Sequence, residues 1–253
     1  MRRASAKSLP LRGRIGLLIG ALALLAACDG SKPLLKQTSK PSGPSFPAAD
    51  RPVAPIVSPR WSTEDDRDRA GEAAAVMKRS GVAPGMTVAD IGAGEGYYTV
   101  RLAAKVGKTG RVLAEDVVPD TTDRLAERVA REGLDNVSVQ LGAVADPKLP
   151  ANSFDRVLMI HMYHEIARPF EFLWRMRPSL KPDGEVIVVD ANRATQFHGT
   201  PPALLKCEFA AVGYQQVATV DMPSAGGYLA AFRAVGPRPQ PGAIKACHLP
   251  RRG

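Results

Sequence analysis

Residues 88–98 read VADIGAGEGYY. An apolar run closes on Asp90 and Ile91, glycines follow at 92, 94 and 96, and an aromatic pair opens a stretch of helix formers. The pattern is a strand, a tight loop and a helix in direct succession. Glycine permits unusual φ and lets a ligand approach the backbone closely. The helix start behind the loop presents unpaired N–H groups and a partial positive charge to an anion. The spacing is G-x-G-x-G, whereas the dinucleotide fingerprint requires G-x-G-x-x-G, and position 97 is Tyr.

Strands and helices alternate on both sides of this loop. Upstream, 62–80 opens with Ser and Thr, carries acids in its first turn and basic residues in its last, and reads as one helix. Strands are expected at 87–91, 111–114, 137–141, 154–160 and 185–189, with helices at 97–106, 120–131 and 169–180. Short apolar strands alternating with helices indicate an α/β domain with a doubly wound, mostly parallel sheet covered on both faces. The last part differs. After a helix at 202–212, strands at 215–220 and 228–234 follow with only a turn around 223–227 between them, which implies an antiparallel pair at the sheet edge. Glu115 and Asp116 close the second strand, where an acid can accept hydrogen bonds from a ribose diol.

Four stretches, VADIGAGEGYYTVRLA, GRVLAEDVVP, ANSFDRVLMIHMYHE and MRPSLKPDGEVIVVD, occur in the order and spacing of class I S-adenosylmethionine-dependent methyltransferases. The chain resembles that family over about residues 85–235. The resemblance implies a single Rossmann-like, seven-stranded sheet with an antiparallel last strand, S-adenosyl-L-methionine as cofactor, and methyl transfer to an unidentified acceptor. It also implies roles. Asp90 would organise the loop or the cofactor's amino group. Gly92, Ala93, Gly94 and Gly96 would bring backbone amides to the methionine carboxylate. Asp116 would hold the ribose, with Glu115 as the neighbouring choice. Asp155 belongs to the family pattern as a structural residue. One departure stands out: after the third strand the family commonly has Gly-Asp, whose carboxylate meets the adenine, whereas this chain has Gly142 and Ala143. Asp146 is the substitute in reach.

In an open α/β sheet the site lies beyond the carboxyl ends of the strands. The fourth strand ends in HMYHE (161–165) and the fifth in DANR (190–193). A hydroxyl acceptor would need a general base, for which His161 is the first candidate and His164 the second, with Tyr163 lining the pocket. Arg193 and His198 could meet an anionic substrate. Packing of this segment under the next helix is the competing reading for each residue. His161, His164 and Glu165 lie too close on one loop to imply a metal, and none is expected.

The ends of the chain read differently. Residues 1–14 carry five basic residues and no acid, and 15–27 are uninterruptedly apolar. Thirteen residues are too few to span a bilayer, which needs about 20, so 1–27 reads as an export signal. Its end, LAAC (25–28), resembles the lipobox of bacterial lipoproteins, in which the cysteine is acylated. Cys28 is the expected lipidation site, with a plain signal peptide or an uncleaved anchor as alternatives. A twin-arginine signal at Arg2 and Arg3 fits poorly. Residues 28–60 read as a Pro-rich tether, 61–235 as the domain and 236–253 as a flexible basic tail. Cys207 and Cys247 could pair if exported. The expected setting is the bacterial cell envelope, on the periplasmic face of a membrane.

The formal charge of +9 suggests nucleic acid at first sight. Its distribution removes that reading. The stretch 61–235 holds 20 basic and 23 acidic residues, so the excess belongs to the signal, tether and tail. No nucleic-acid partner is expected; the basic arms suit anionic headgroups. Two functions stay open from sequence: a membrane-tethered methyltransferase, and a lipoprotein binding module that keeps the fold without the reaction.

Overall fold

The computed structural model describes residues 45–56 and 63–248. The chain divides at Ser42/Gly43, and all described residues belong to the second unit. The signal segment 1–27, Cys28 and the first part of the tether lie outside the described residues. Among the described residues, no helix is long and apolar enough to cross a membrane.

Seven strands form one sheet in the order β3-β2-β1-β4-β5-β7-β6. They are β1 (Thr87–Ile91), β2 (Arg111–Asp116), β3 (Val137–Leu141), β4 (Phe154–Ile160), β5 (Leu180–Asp190), β6 (Tyr214–Met222) and β7 (Gly227–Ala234). Strand β7 runs antiparallel to both neighbours, β5 and β6; the other pairings are parallel. The expected mixed sheet is therefore present, with β7 inserted between β5 and the edge strand β6. The side-chain period of two sorts the central strands cleanly. Val157, Met159, Val186 and Val188 enter one core, while Leu158, Ile160, Ile187 and Val189 enter the other. The first core is closed by α5 (Pro169–Met176) and α6 (Pro202–Ala211), the second by α2 (Glu72–Arg79) and α3 (Tyr97–Val106). Helix α4 (Pro119–Arg131) follows β2 and buries Leu125.

Asp155 proves structural: its carboxylate accepts from the Thr87 backbone N–H (2.8 Å) and from Lys181 Nζ (2.7 Å), joining the entrances of β1, β4 and β5. The helix expected over 62–80 is two helices, α1 (Glu64–Arg69) and α2. Gly71 breaks it by adopting φ 67°, and α1 starts in a capping box between Thr63 and Asp66.

Both flanks depart from expectation. Residues 45–56 pack on the domain as an extended strap. Arg51 Nε donates to Glu208 Oε1 on α6 (2.9 Å), Ala54 N–H to the His164 carbonyl (3.2 Å) and Thr195 Oγ1 to the Pro52 carbonyl (2.6 Å). Proline holds such a segment extended, so docking it costs little backbone entropy. Residues 236–248 are no free tail either, and 249–253 lie outside the described residues. Trp174 Nε1 donates to the Pro239 carbonyl (2.8 Å), Ile244 and Cys247 are buried, and Cys247 is disulfide-bonded to Cys207 on α6. Their anchors are scattered contacts, among them Arg238 over the Trp174 ring and Arg177 on the Gly236 carbonyl, rather than a periodic apolar face.

Candidate active site

The strand order reverses between β1 and β4, which opens a crevice at the carboxyl ends of those strands. A cavity of about 580 Å³ lies there. Its floor is the ends of β1, β2, β4 and β5. Its roof comes from α1, α2, Ile56 of the strap and the turn at Ser224–Gly226 between β6 and β7.

One half is the glycine loop. Gly92, Gly94 and Gly96 all have positive φ (66°, 57° and 90°). A Cβ at Gly94 would meet nothing within 4 Å, so this residue opens onto the cavity; one at Gly96 would lie 2.5 Å from Leu125 Cδ1, so this residue seats α3 against α4. The loop amides are largely spoken for. Ala93 N–H donates to the Glu115 carbonyl (2.9 Å), Gly94 N–H to Asp116 Oδ2 (3.0 Å) and Gly96 N–H to the Ala93 carbonyl (3.0 Å). The glycines therefore serve close approach more than a row of free donors. Asp90 is buried, accepts from Thr99 Oγ1 (2.6 Å), and burial pushes its carboxyl up to about 6.

Two acids close β2, and the structure separates them. Asp116 is held by two backbone amides, Gly94 N–H and Val118 N–H, each at 3.0 Å. Glu115 is 1% exposed, and its Oε1 has no hydrogen-bond partner among the described residues. Burial, then the nearby Asp116 charge, push its carboxyl up to about 8. A Cβ at residue 142 would overlap Glu115 Oε1, so the Gly after β3 makes room for this carboxyl. Asp146 does not line the cavity: it caps Lys148 N–H (2.8 Å) and faces Arg175.

The other half carries His161 beside an apolar wall of Ile160, Met162, Ile166 and Phe172. His161 adopts φ 56°, and its Nε2 lies 3.8 Å from Glu72 Oε1. Burial lowers its affinity for a proton and Glu72 partly restores it; the net direction is down from 6.5, which leaves a neutral imidazole at pH 7. Glu72 also accepts from Tyr98 Oη (2.8 Å) and is gripped by Arg67 through Nε (2.9 Å) and Nη2 (2.6 Å). The Arg67 guanidinium stacks 3.6 Å from the Tyr97 ring centroid.

Tyr163 and His164 do not join it. Residues Tyr163–Glu165 form a 3₁₀ turn, in which positions three apart share a side. Met162 and Glu165 thus face the cavity, while Tyr163 turns into the core and donates to Glu208 Oε2 (2.7 Å). His164, 1% exposed, bonds Asp190 instead. Of the sequence candidates, Asp90, Gly92, Ala93, Gly94, Glu115, Asp116 and His161 meet in the cavity; Gly96, Asp146, Tyr163 and His164 do not line it. Sequence reasoning missed Arg67, Glu72 and Tyr98. The only local trace of them is the paired aromatics next to a helix rich in ion pairs.

Residues 83–229 match the family described as Methyltransferase domain. The chain is 29% identical over 119 residues to an arsenite methyltransferase of Halobacterium salinarum, covering 46% of this chain and 30% of that protein. It is 30% identical over 121 residues to a ubiquinone/menaquinone biosynthesis C-methyltransferase of Hydrogenovibrio crunogenus, covering 47% and 48%. The matched part thus spans half or less of those relatives. Among solved structures, a SAM-dependent methyltransferase from Aquifex aeolicus superposes with a TM-score of 0.58 at 23% identity, covering 68% of this chain and 97% of that one; this likeness speaks for the fold. Since the domain match takes in more than half of the sequence, and with it the glycine loop and the strand ends around the cavity, the chain belongs to the methyltransferase-domain family.

Proposed function

We propose that this chain transfers the methyl group of S-adenosylmethionine to an acceptor seated against the apolar wall, with His161 as the general base. The residues present fit that cofactor. Gly94 leaves the cradle open where a side chain would fill it, and the buried, unpartnered Glu115 Oε1 suits an amino donor. When bound, the cofactor supplies an electrophilic methyl on a sulfonium. The chain holds and orients. Asp116 takes the ribose hydroxyls, and Glu115 takes the adenine amino group in place of the acid that the family has after β3. His161, neutral at pH 7, removes the proton of a hydroxyl acceptor, and Glu72 at 3.8 Å stabilises the imidazolium that results. The apolar wall excludes water from the displacement. The observation that carries this reading is one cavity in which the glycine loop and a neutral, carboxylate-backed histidine meet. Calorimetric titration with S-adenosylmethionine tests it; absence of binding at millimolar cofactor would sink it.

We also read the chain as an exported lipoprotein of the bacterial cell envelope, anchored through Cys28 on the periplasmic face. The basic and apolar 1–27 and the lipobox-like 25–28 support this. So does the Cys207–Cys247 bridge, because disulfides persist in oxidising compartments. The mass of the mature N-terminus tests it: an unmodified Cys28 refutes the anchor. Export favours a second reading, a binding module that retains the fold, since the cofactor is made in the cytoplasm. Cofactor binding without product formation across an acceptor panel would select it.

A further inference from the structure

His164 takes no part in the cavity, yet it is held in a way that plain packing does not require. Its Nδ1 lies 3.0 and 3.1 Å from the two carboxylate oxygens of Asp190. Asp190 is itself 0% exposed and fixed twice more, by the Ala191 N–H on Oδ1 (2.8 Å) and by Thr200 Oγ1 on Oδ2 (2.7 Å). A carboxylate in this position keeps the proton on Nδ1 and leaves Nε2 as a lone pair. It is the arrangement by which proteins orient a metal-binding imidazole.

The neighbours of that ring are suited to the same task. His198, from the loop after β5, stands edge-on to His164 with ring centroids 5.3 Å apart. It is held at φ 58°, a conformation costly for a residue with a Cβ, between its N–H bond to the Thr195 carbonyl (3.1 Å) and the Arg193 Nε bond to its own carbonyl (3.1 Å). Glu165 follows His164 in the chain and reaches the cavity wall. One ligand atom from each of His164, Glu165 and His198 lies within 4.8 Å of the others.

We propose that His164, Glu165 and His198 bind a divalent transition-metal ion, with Asp190 as the positioning residue for His164. Two imidazoles disfavour magnesium and calcium, which take oxygen, and suit zinc and its neighbours. Three protein ligands of the type His, His and Glu leave one coordination position of a tetrahedral ion open. Glu165 places that position beside the methyl-transfer cavity. Residues 161, 164 and 165 by themselves imply no metal; the third ligand comes from a loop more than thirty residues away. The proposal does not rest on the methyl-transfer reading.

Calorimetric titration of the full chain, stripped with chelator, with zinc chloride tests it. One equivalent of zinc is expected to bind, and cobalt(II) in its place gives the visible bands of a four- or five-coordinate ion. His198→Asn, which tolerates the left-handed backbone, and Glu165→Gln should each weaken binding more than about tenfold. His248→Asn, at the exposed pair with Asp50, should leave it unchanged. Circular dichroism checks that each variant is folded. No stoichiometric binding by the full chain, or equal affinity in folded His198→Asn, overturns the site; loss on His248→Asn assigns the zinc elsewhere.

Discussion

Glu115→Gln should make the protein more stable in alkaline solution, although it alters a residue of the proposed cofactor site. The carboxyl is buried, and folding raises it from 4.5 to about 8. An acid raised by folding stabilises the native state fully only below its unfolded value, and that contribution is lost as pH climbs through the folded one. The window is therefore pH 4.5 to about 8. At about 1.4 kcal/mol for each pH unit, the loss has a ceiling of about 5 kcal/mol. Water entering through the cavity relaxes part of the penalty, so about 2–3 kcal/mol is expected. Glutamine has the same shape and no proton to lose. Urea unfolding followed by circular dichroism should give the variant and the parent nearly equal stability at pH 4, with the variant ahead by that amount at pH 9. Taking the difference cancels the titrating groups that do not interact with Glu115, leaving its own titration and its coupling to Asp116, Asp90 and Asp146. A difference that stays flat from pH 4 to pH 9 refutes the assignment of a buried, neutral Glu115.

Four further outcomes follow from the geometry. Asp116→Ala removes an acceptor for the ribose hydroxyls and should weaken S-adenosylmethionine binding by about 10- to 100-fold; unchanged affinity in calorimetry moves the ribose role to Glu115. His161→Gln should lower turnover of a hydroxyl acceptor by about 10²–10⁴ and abolish the acidic limb of the pH profile, while cofactor affinity holds; an unchanged profile removes His161 as base. Gly96→Ala meets both a φ of 90° and Leu125 Cδ1 at 2.5 Å, and should cost about 1–3 kcal/mol in denaturant unfolding. Cys207→Ser opens a loop closed over 40 residues and should lower stability by up to about 4 kcal/mol; reduction of the parent protein should reproduce the loss.

What was legible in the sequence was local. Strand β1, the glycine loop and α3 were readable to the residue, because strand period, glycine and helix propensity act over a few neighbours. The split between α1 and α2 was not: a lone glycine inside a helical pattern is often tolerated, and only packing decides that Gly71 takes a left-handed turn. The choice among His161, Tyr163 and His164 depended on the phase of a three-residue turn, which composition does not encode. Glu72 reaches His161 from 89 positions upstream through the packing of α2, so no motif could announce it. The strap and the last segment failed for the same reason. Their composition is that of free chain, and what holds them is a few partners far away in sequence.

That distance has a consequence for the order of assembly. The strap's buried ion pair joins residues 157 apart, and its other bonds reach residues 164, 166, 195 and 248. Closing so long a loop is unfavourable until the receiving surface exists. In a chain made or translocated from its N-terminus, residues 45–56 emerge early and dock late, once α6 has folded against the sheet. Until then Glu208 lacks its cation and the strap remains open to proteases. Protection of this early segment therefore reports completion of the carboxyl half, and a nick confined to 45–56 marks molecules in which α6 has yet to settle.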